Sequence, residues 1–179
     1  MKKVIFTIVI AAASFAANAQ TAQGNWLVGG SASFSSDKAG TEGAESVSTF
    51  RIAPSAGYFF MDDLAAGAQV SFENESKDHS AFFFKPFVRY YFLPIGDNAK
   101  LLAQGAFGFG SYKPEGGDSQ SSTQWDISAG PAFFLNQHVA LEALLSYGQT
   151  KLKDIPASKS FGVNVGFQIH LGGGTTKKK

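Results

Sequence analysis

Apolar and polar positions alternate with a period of two along most of the chain, most clearly at residues 160–171. Every second position there carries a bulky apolar side chain: Phe161, Val163, Val165, Phe167, Ile169 and Leu171. Glycine, Asn, Gln and His occupy the positions between them. Because successive side chains of a strand point to opposite faces, this pattern predicts a strand with one apolar face and one small polar face.

Seven stretches upstream show the same alternation, so the sequence predicts eight strands. The seven cover residues 26–34, 50–60, 64–72, 82–92, 101–109, 125–135 and 139–147. The connections between them alternate between long and short, which is typical of a barrel with short turns in the periplasm and longer loops outside. Each strand has the length, about 9–11 residues, that a tilted strand needs to cross a bilayer.

The chain begins with a segment that has the build of a secretory signal peptide. Lys2 and Lys3 precede an apolar run at 4–16, and the small residues at 17–19 form a cleavage site before Gln20. The run is too short to cross about 30 Å of hydrocarbon as a helix. We therefore predict a cleaved signal peptide at 1–19, a barrel domain at 20–171 and a flexible basic tail at 172–179.

Composition favours a membrane barrel over a soluble domain or a helical membrane protein. Charged residues make up 16% of the chain and aromatic residues 14%, with 18 Phe and 20 Gly. Soluble domains carry about 25% charged residues. No stretch after the signal peptide approaches the roughly 18 apolar residues of a transmembrane helix. A closed β-barrel is the remaining way to satisfy the backbone within a membrane.

Two further features of the composition exclude classes of function. The chain has no cysteine, so it offers neither a disulfide framework nor a thiolate metal site. Its formal net charge is +1, and it shows no basic stripe of the kind that nucleic-acid binders carry. The sequence therefore predicts no cofactor, no metal and no nucleic-acid partner.

Alternation alone does not tell which face of the barrel meets lipid, since a lipocalin-type barrel points its apolar face inward. In all eight strands, however, the apolar phase contains no charged residue and no Ser, Thr, Asn or Gln. A charge on a lipid face costs about 2–4 kcal/mol at the midplane. The opposite phase is mainly Gly, Ala and Ser, which suits the narrow interior of eight strands. We therefore predict an all-β, eight-stranded antiparallel up-and-down transmembrane barrel with a polar, plugged interior.

Six charged residues fall in the inward phase, three of each sign: Arg51, Lys85, Arg89, Glu73, Asp126 and Glu142. Buried charges cost several kcal/mol each unless they are paired. Counting back from the turn at 61–63 places Arg51 opposite Glu73. The sequence thus predicts a salt-bridged plug rather than an open pore, since wide channels belong to barrels of about 16 strands.

Aromatic residues collect at the two ends of the apolar phase and predict two girdles at headgroup level. Trp26, Tyr58 and Tyr90 lie near the short turns, and Trp125 and Tyr147 lie near the long loops.

Three prolines interrupt the lipid-facing phase, namely Pro54, Pro86 and Pro131. Because a proline forfeits one hydrogen bond of the ladder, we expect bulges or gaps in pairing there.

The pattern resembles the small eight-stranded OmpA/OmpX-type barrels, and most of all the outer membrane protein β-barrel domain group common in Bacteroidetes-type bacteria. The resemblance rests on P-S-A-G-Y-F-F at 54–60, D-D-L-A-A-G at 62–67, K-P-F-V-R-Y-Y-F at 85–92 and the strand at 162–171. It covers essentially the whole mature chain, but its motifs are structural. It implies a monomeric, porin-like, integral protein of a Gram-negative outer membrane, with no catalytic residues to carry over.

The last strand also resembles the C-terminal signal by which such barrels are delivered for insertion. Its polar-x-Gly-x-x-apolar-x-apolar pattern consists of Asn164, Gly166, Ile169 and Leu171. This resemblance implies the barrel-assembly machinery and periplasmic chaperones as partners during biogenesis, and outer-membrane lipid and lipopolysaccharide afterwards. The tail after Leu171 departs from the aromatic C-terminus that is usual in these proteins.

For function we expect a non-catalytic protein that serves envelope integrity, or recognition and adhesion through a loop ligand still to be identified. Three alternatives remain open. A lipid A-modifying enzyme would use His79, beside Asp78 and Ser80 in the second outer loop, although adjacent loop residues do not form an oriented catalytic set. The others are a soluble periplasmic lipocalin-like carrier and a narrow pore.

Overall fold

The computed structural model describes residues 20–38, 46–75, 79–113, 118–152 and 157–172, and these form a closed barrel of eight antiparallel strands. Each strand pairs with its neighbours in chain order, and the last pairs with the first. The predicted up-and-down barrel is confirmed. The strands are β1 (Trp26–Lys38), β2 (Ser46–Met61), β3 (Leu64–Glu75), β4 (His79–Ile95), β5 (Ala99–Lys113), β6 (Gln120–Phe134), β7 (Val139–Leu152) and β8 (Ser158–Leu171).

Both ends of the chain fall largely beyond the described ranges. Residues 1–19, which carry the predicted signal peptide, and residues 173–179 of the predicted tail lie outside them. The division into signal peptide, barrel and tail therefore stays a prediction. Within the described ranges, no helix has the length and apolar character needed to cross a membrane.

The strands are longer than predicted, mainly at the end that carries the long connections, which we call the outer end. β2 begins at Ser46 and not at Phe50, β6 begins at Gln120 and not at Trp125, and β7 continues to Leu152. The predicted loops at 35–46, 74–80, 113–122 and 149–159 were therefore too long. The prediction stopped where the apolar alternation stops, but the backbone ladder continues through polar pairs that need no lipid contact.

The opposite end, which we call the periplasmic end, carries the short turns and both ends of the described barrel. Here the predicted limits hold better, although β4 extends to Ile95, β5 begins at Ala99 and β6 ends one residue early at Phe134.

The apolar phase faces outward around the whole barrel. Most of its large side chains are exposed, by 37% at Trp125 to 73% at Phe161, and a few such as Val70 and Ile169 are half-buried. Such a contiguous apolar surface is suited to hydrocarbon and not to water. A soluble lipocalin-like carrier, which needs this phase inside, is therefore wrong for this chain.

The barrel interior is apolar at the periplasmic end and polar above it. The apolar part is a cluster of large buried side chains that includes Leu27, Phe59, Phe87, Tyr91, Leu102, Phe134 and Leu144. The sequence analysis did not single out this cluster. No strand contributes more than two of its members, which lie among small residues and meet only after the barrel closes.

Each of the three prolines lies beside a gap in pairing. Between β2 and β3 the ladder runs to Ile52, resumes at Ser55 and so leaves out Pro54. The same interruption occurs at Pro86 between β4 and β5 and at Pro131 between β6 and β7. The register is unchanged across each gap, which confirms the expected loss of pairing. The register shifts occur elsewhere, close to the short turns.

Two glycines provide a matched test of backbone crowding. A Cβ added at Gly67 would lie 2.2 Å from the Ala56 carbonyl oxygen and 2.6 Å from Phe87 Cζ, whereas one added at Gly105 meets nothing within 4 Å. We expect Gly67→Ala to lower the free energy of unfolding by about 1–3 kcal/mol. We expect Gly105→Ala to leave it unchanged or raise it by up to about 1 kcal/mol. Urea unfolding of the detergent-refolded protein, followed by gel mobility without boiling, measures both. Equal midpoints for the two variants would contradict this account.

Candidate functional site

A buried ion pair lies inside the barrel, just above the apolar cluster. Arg89 on β4 donates from Nη1 to Glu142 Oε1 on β7 at 2.7 Å, and the two side chains are 4% and 3% exposed. Arg89 Nε donates to Gln104 Oε1 at 2.9 Å, and Tyr91 Oη lies 3.3 Å from the same Glu142 oxygen. Gln168 Nε2 reaches the other carboxylate oxygen at 3.4 Å. Both charged groups therefore have several partners, which a buried pair requires.

Two further ion pairs lie progressively nearer the outer end. Lys85 on β4 pairs with Asp126 on β6, with side chains 7% and 18% exposed. Arg51 Nε lies 2.7 Å from Glu73 Oε1, with side chains 33% and 18% exposed. Neither of these two atoms has a well-formed hydrogen bond, so this contact is ionic and the N–H is not aimed at the oxygen.

The structure thus brings all six inward charges together as three pairs of opposite sign. Only one pair joins neighbouring strands, because Arg51 lies directly opposite Glu73 in the register of β2 and β3. The other two span the barrel, from β4 to β6 and from β4 to β7.

A polar cavity of about 60 Å³ lies among the three ion pairs. Besides the paired charges, its lining includes Ser55, Gln69, Gln124, Ser128 and Asn164. A polar space of this size is large enough to hold water. A cavity of this size is far smaller than an open channel.

The periplasmic end is closed by residues 20–25, which fold beneath the barrel. Thr21 donates from its hydroxyl to Asp63 Oδ1, and Lys100 Nζ lies 2.6 Å from the same oxygen. Lys100 also donates to Thr21 Oγ1 at 2.9 Å and is 3% exposed. Gln20 Nε2 donates to the Asn136 carbonyl at 2.7 Å. These contacts join the start of the described chain to three different turns or strands.

His170 completes this closure from β8. Its Nδ1 lies 2.8 Å from the Gln20 carbonyl oxygen. Its ring packs against Phe59, Tyr91 and Phe134, with centroid distances of 5.8, 6.3 and 5.5 Å. The imidazole therefore links residues 20–25 to the apolar cluster.

Sequence analysis missed the cluster of Thr21, Asp63 and Lys100. Lys100 falls between the predicted fourth and fifth strands and was not considered, and Asp63 was treated only as a turn residue. One signal was available in the sequence. Asp63 lies in the short turn before β3 and Lys100 follows the short turn before β5, so two opposite charges lie at the same end of the barrel. The φ of 63° at Asp63 adds a left-handed position that Asp tolerates better than most residues.

The predicted girdle residues all lie on the outward face. Trp26 and Tyr58 contact each other edge to face at the periplasmic end, with ring centroids 5.3 Å apart. Tyr90 lies on β4 at the same end and is 49% exposed. Trp125 and Tyr147 make the corresponding contact toward the outer end at 5.9 Å.

The four residues of the predicted assembly signal lie on β8, and their side chains point to both faces of the strand. Asn164 and Gly166 line the interior cavity, while Leu171 is outward and 48% exposed. Ile169 is half-buried beside Val139 and Val28 in the register of β7 and β1.

The described residues form no cluster suited to binding a metal ion. Within these ranges, no group of three or more His, Asp and Glu side chains could hold a metal ion. Asp78 and the side chain of His79, which the enzyme alternative requires, lie outside the described set. Of the other histidines, His138 is exposed in a bend and His170 is the buried residue of the periplasmic closure.

The apolar outer belt, the aromatic girdles and the paired interior charges define a small transmembrane barrel of the outer-membrane class. A family model described as "Outer membrane protein beta-barrel domain" matches residues 5–168, and the chain belongs to this family. Family membership implies an outer-membrane location. It does not bear on the bacterial group of origin, which stays a prediction.

Two solved structures support the fold. The Neisserial surface protein A (NspA) is 18% identical, with a TM-score of 0.61 over 82% of this chain and 97% of that one. The N-terminal β-barrel domain of Pseudomonas aeruginosa OprF is 12% identical, with a TM-score of 0.59 over 83% of this chain and 98% of that one. Similarity at this level of identity shows the fold alone. A comparison with curated proteins found no match.

Removing one partner of the central ion pair is expected to destabilise the barrel strongly. Glu142→Gln leaves Arg89 buried without a counter-charge and should lower the free energy of unfolding by about 3–5 kcal/mol. The matched change Glu73→Gln affects a partly exposed pair and should cost about 0–1 kcal/mol. Urea midpoints of the two variants provide the measurement. A Glu142 variant that unfolds with the wild type would show that the central pair contributes little.

Proposed function

We propose that this protein is a sealed, non-catalytic outer-membrane barrel that presents its outer strand ends for recognition. The observation that carries the proposal is the unequal length of the strands on the two sides of the membrane belt. At the periplasmic end β1 begins at the girdle residue Trp26 itself and β2 ends one residue after Phe60, whereas β4 continues to Ile95, five residues beyond Tyr90. The exposed side chains of this continuation, Leu93 and Ile95, are apolar.

At the outer end the ladders continue well past the apolar belt. β5 runs four residues beyond Phe109, β6 begins five residues before Trp125, and β7 runs five residues beyond Tyr147. At about 3.3 Å for each residue, four or five residues add about 13–17 Å of hydrogen-bonded sheet along the strand. Polar residues cover it, among them Ser111, Ser121, Thr123 and Lys151.

An ordered polar extension on one side only supports a role at the cell surface. Loops held on a rigid scaffold are where binding residues are commonly found. The partner would meet the outer hairpins, and residues 114–117 and 153–156 at their tips lie outside the described ranges.

Envelope integrity is a second candidate, and a different observation supports it. The interior is filled from the periplasmic closure up to the Lys85–Asp126 pair, with a cavity of only about 60 Å³. A filled barrel adds protein to the membrane without opening a path through it. Assembly through the β8 signal, with chaperones and the barrel-assembly machinery as partners, belongs to this proposal as well.

Trimming one outer hairpin separates the two candidates. Replacing residues 112–120 with a two-residue turn keeps the Ser111–Ser121 pair and removes the end of the β5–β6 extension. Cells that carry this variant should lose at least tenfold in adherence to albumin-, collagen- or mucin-coated surfaces, with unchanged uptake of a hydrophobic dye. The control replaces Gln137 and His138 at a periplasmic turn with Gly and Ser. Full adherence by the trimmed strain would refute the recognition role. If dye uptake also rises only in a strain that lacks the whole protein, the result would favour envelope integrity.

A sealed interior also predicts electrical silence. The purified barrel in planar bilayers should show no steady conductance, because three ion pairs occupy the lumen and wide channels need about 16 strands. The control is the same protein after heat denaturation, which should also be silent. If the folded protein gives steady single-channel steps and the heated protein does not, the barrel is not sealed. That result would support the narrow pore.

A further inference from the structure

A groove of about 550 Å³ runs across the lipid-facing surface from β4 to β8. Its floor consists of small residues, Ala103 and Gly105 on β5 and Ala129 on β6. Larger side chains form its sides, with Tyr90 on β4 at one side and Phe161 on β8 at the other. The volume falls within the range of about 300–1,000 Å³ that is usual for ligand sites.

The groove results from small outward residues that lie side by side on β5 and β6. Ala103 pairs with Ala129, and Gly105 pairs with Ile127 and, on its other side, with Val88. A Cβ added at Gly105 would meet nothing within 4 Å. The backbone therefore does not require glycine at this position, and the space above it is open to the lipid.

The outer end of the groove leads to two lysines on the same outward face. Lys159 lies two residues beyond Phe161 on β8, which is about 7 Å along the strand. Gln149 lies opposite Lys159, which makes Lys151 the diagonal neighbour of Lys159 across β7 and β8. Such diagonal neighbours lie about 7–8 Å apart. Both lysines are exposed, and neither forms an ion pair with a carboxylate of the described chain.

We propose that this groove holds an acyl chain of an anionic, phosphate-bearing lipid whose headgroup lies between Lys151 and Lys159. The groove is part of the apolar belt, so hydrocarbon is the only solvent that it meets. Lys159 lies level with Gln149, two residues beyond the girdle residue Tyr147, and Lys151 lies two residues further out. Headgroup phosphates are found on this outer side of the girdle. Cations at that depth attract anionic lipid, and two adjacent like charges are relieved by an anion between them. The inference rests on the transmembrane barrel and not on the recognition proposal.

Native mass spectrometry of the barrel in a non-ionic detergent tests the proposal. Phosphatidylglycerol and phosphatidylcholine with identical acyl chains are titrated separately, and the fraction of protein that retains one lipid gives an apparent Kd for each. The wild type should bind phosphatidylglycerol at least tenfold more tightly than phosphatidylcholine. Equal affinities for the two lipids would show that the lysines do not select an anionic headgroup. If no lipid is retained at all, the groove is not a lipid site.

Two variants separate the hydrocarbon from the charge. Gly105→Phe fills the groove and should weaken both lipids at least tenfold. Its control, Ala56→Phe, adds the same ring to the outward face of β2, away from the groove, and should change neither. The double change Lys151→Gln with Lys159→Gln should abolish the preference for phosphatidylglycerol and leave phosphatidylcholine binding unchanged. Its control is Lys113→Gln, on β5 eight residues beyond Gly105, which should keep the preference.

Gel mobility with and without boiling shows that each variant is folded before it is titrated. Unchanged lipid binding by folded Gly105→Phe would refute the groove as the site. If the wild type is a dimer and Gly105→Phe dissociates it, the groove binds a second copy of the chain. That result would also overturn the proposal.

Discussion

The rest of this structure depends on the requirement that backbone groups within hydrocarbon be hydrogen bonded to other backbone groups. Water is absent there, so the sheet must close and leave no free edge. The closing seam pairs β1 with β8 only from Trp26 to Ala32, whereas β1 pairs with β2 along its whole length to Lys38. The seam therefore lies toward the periplasmic end. Residues 20–25 and His170 pack at this same end, so the closure of the sheet and the closure of the lumen support each other.

Closure also decides what the interior can contain. Eight strands enclose a lumen only wide enough for side chains, so charges from opposite walls meet at its centre. Arg89 and Glu142 come from β4 and β7, and each would be costly alone at 4% and 3% exposure. The pairs are more exposed toward the outer end, where Arg51 is 33% exposed. The interior is thus driest where the apolar cluster and the closing segment lie, and wetter toward the cell surface.

The sequence could predict whatever depends on local geometry. Alternation predicts eight strands and their faces, and a short turn sets the register that brings Arg51 opposite Glu73. The partners of Lys85 and Arg89 could not be predicted in this way, because they depend on the tilt and stagger of the closed barrel. The outer strand ends were missed for another reason. Residues such as Ser121 and Thr123 continue the ladder without the apolar alternation that identifies a strand.

Small residues serve opposite purposes in this barrel, and composition alone cannot separate them. At Gly67 the neighbouring strand comes so close that a Cβ would lie 2.2 Å from a carbonyl oxygen, so the backbone itself requires glycine. At Gly105 the space is empty, and the cross-strand neighbours Val88 and Ile127 show that the belt elsewhere fills such space with branched side chains. A glycine that the backbone does not require leaves an opening on the lipid-facing surface. The adjacent lysines of β7 and β8 supply a physical reason for that opening, because they select a lipid that places a chain there and a phosphate above it.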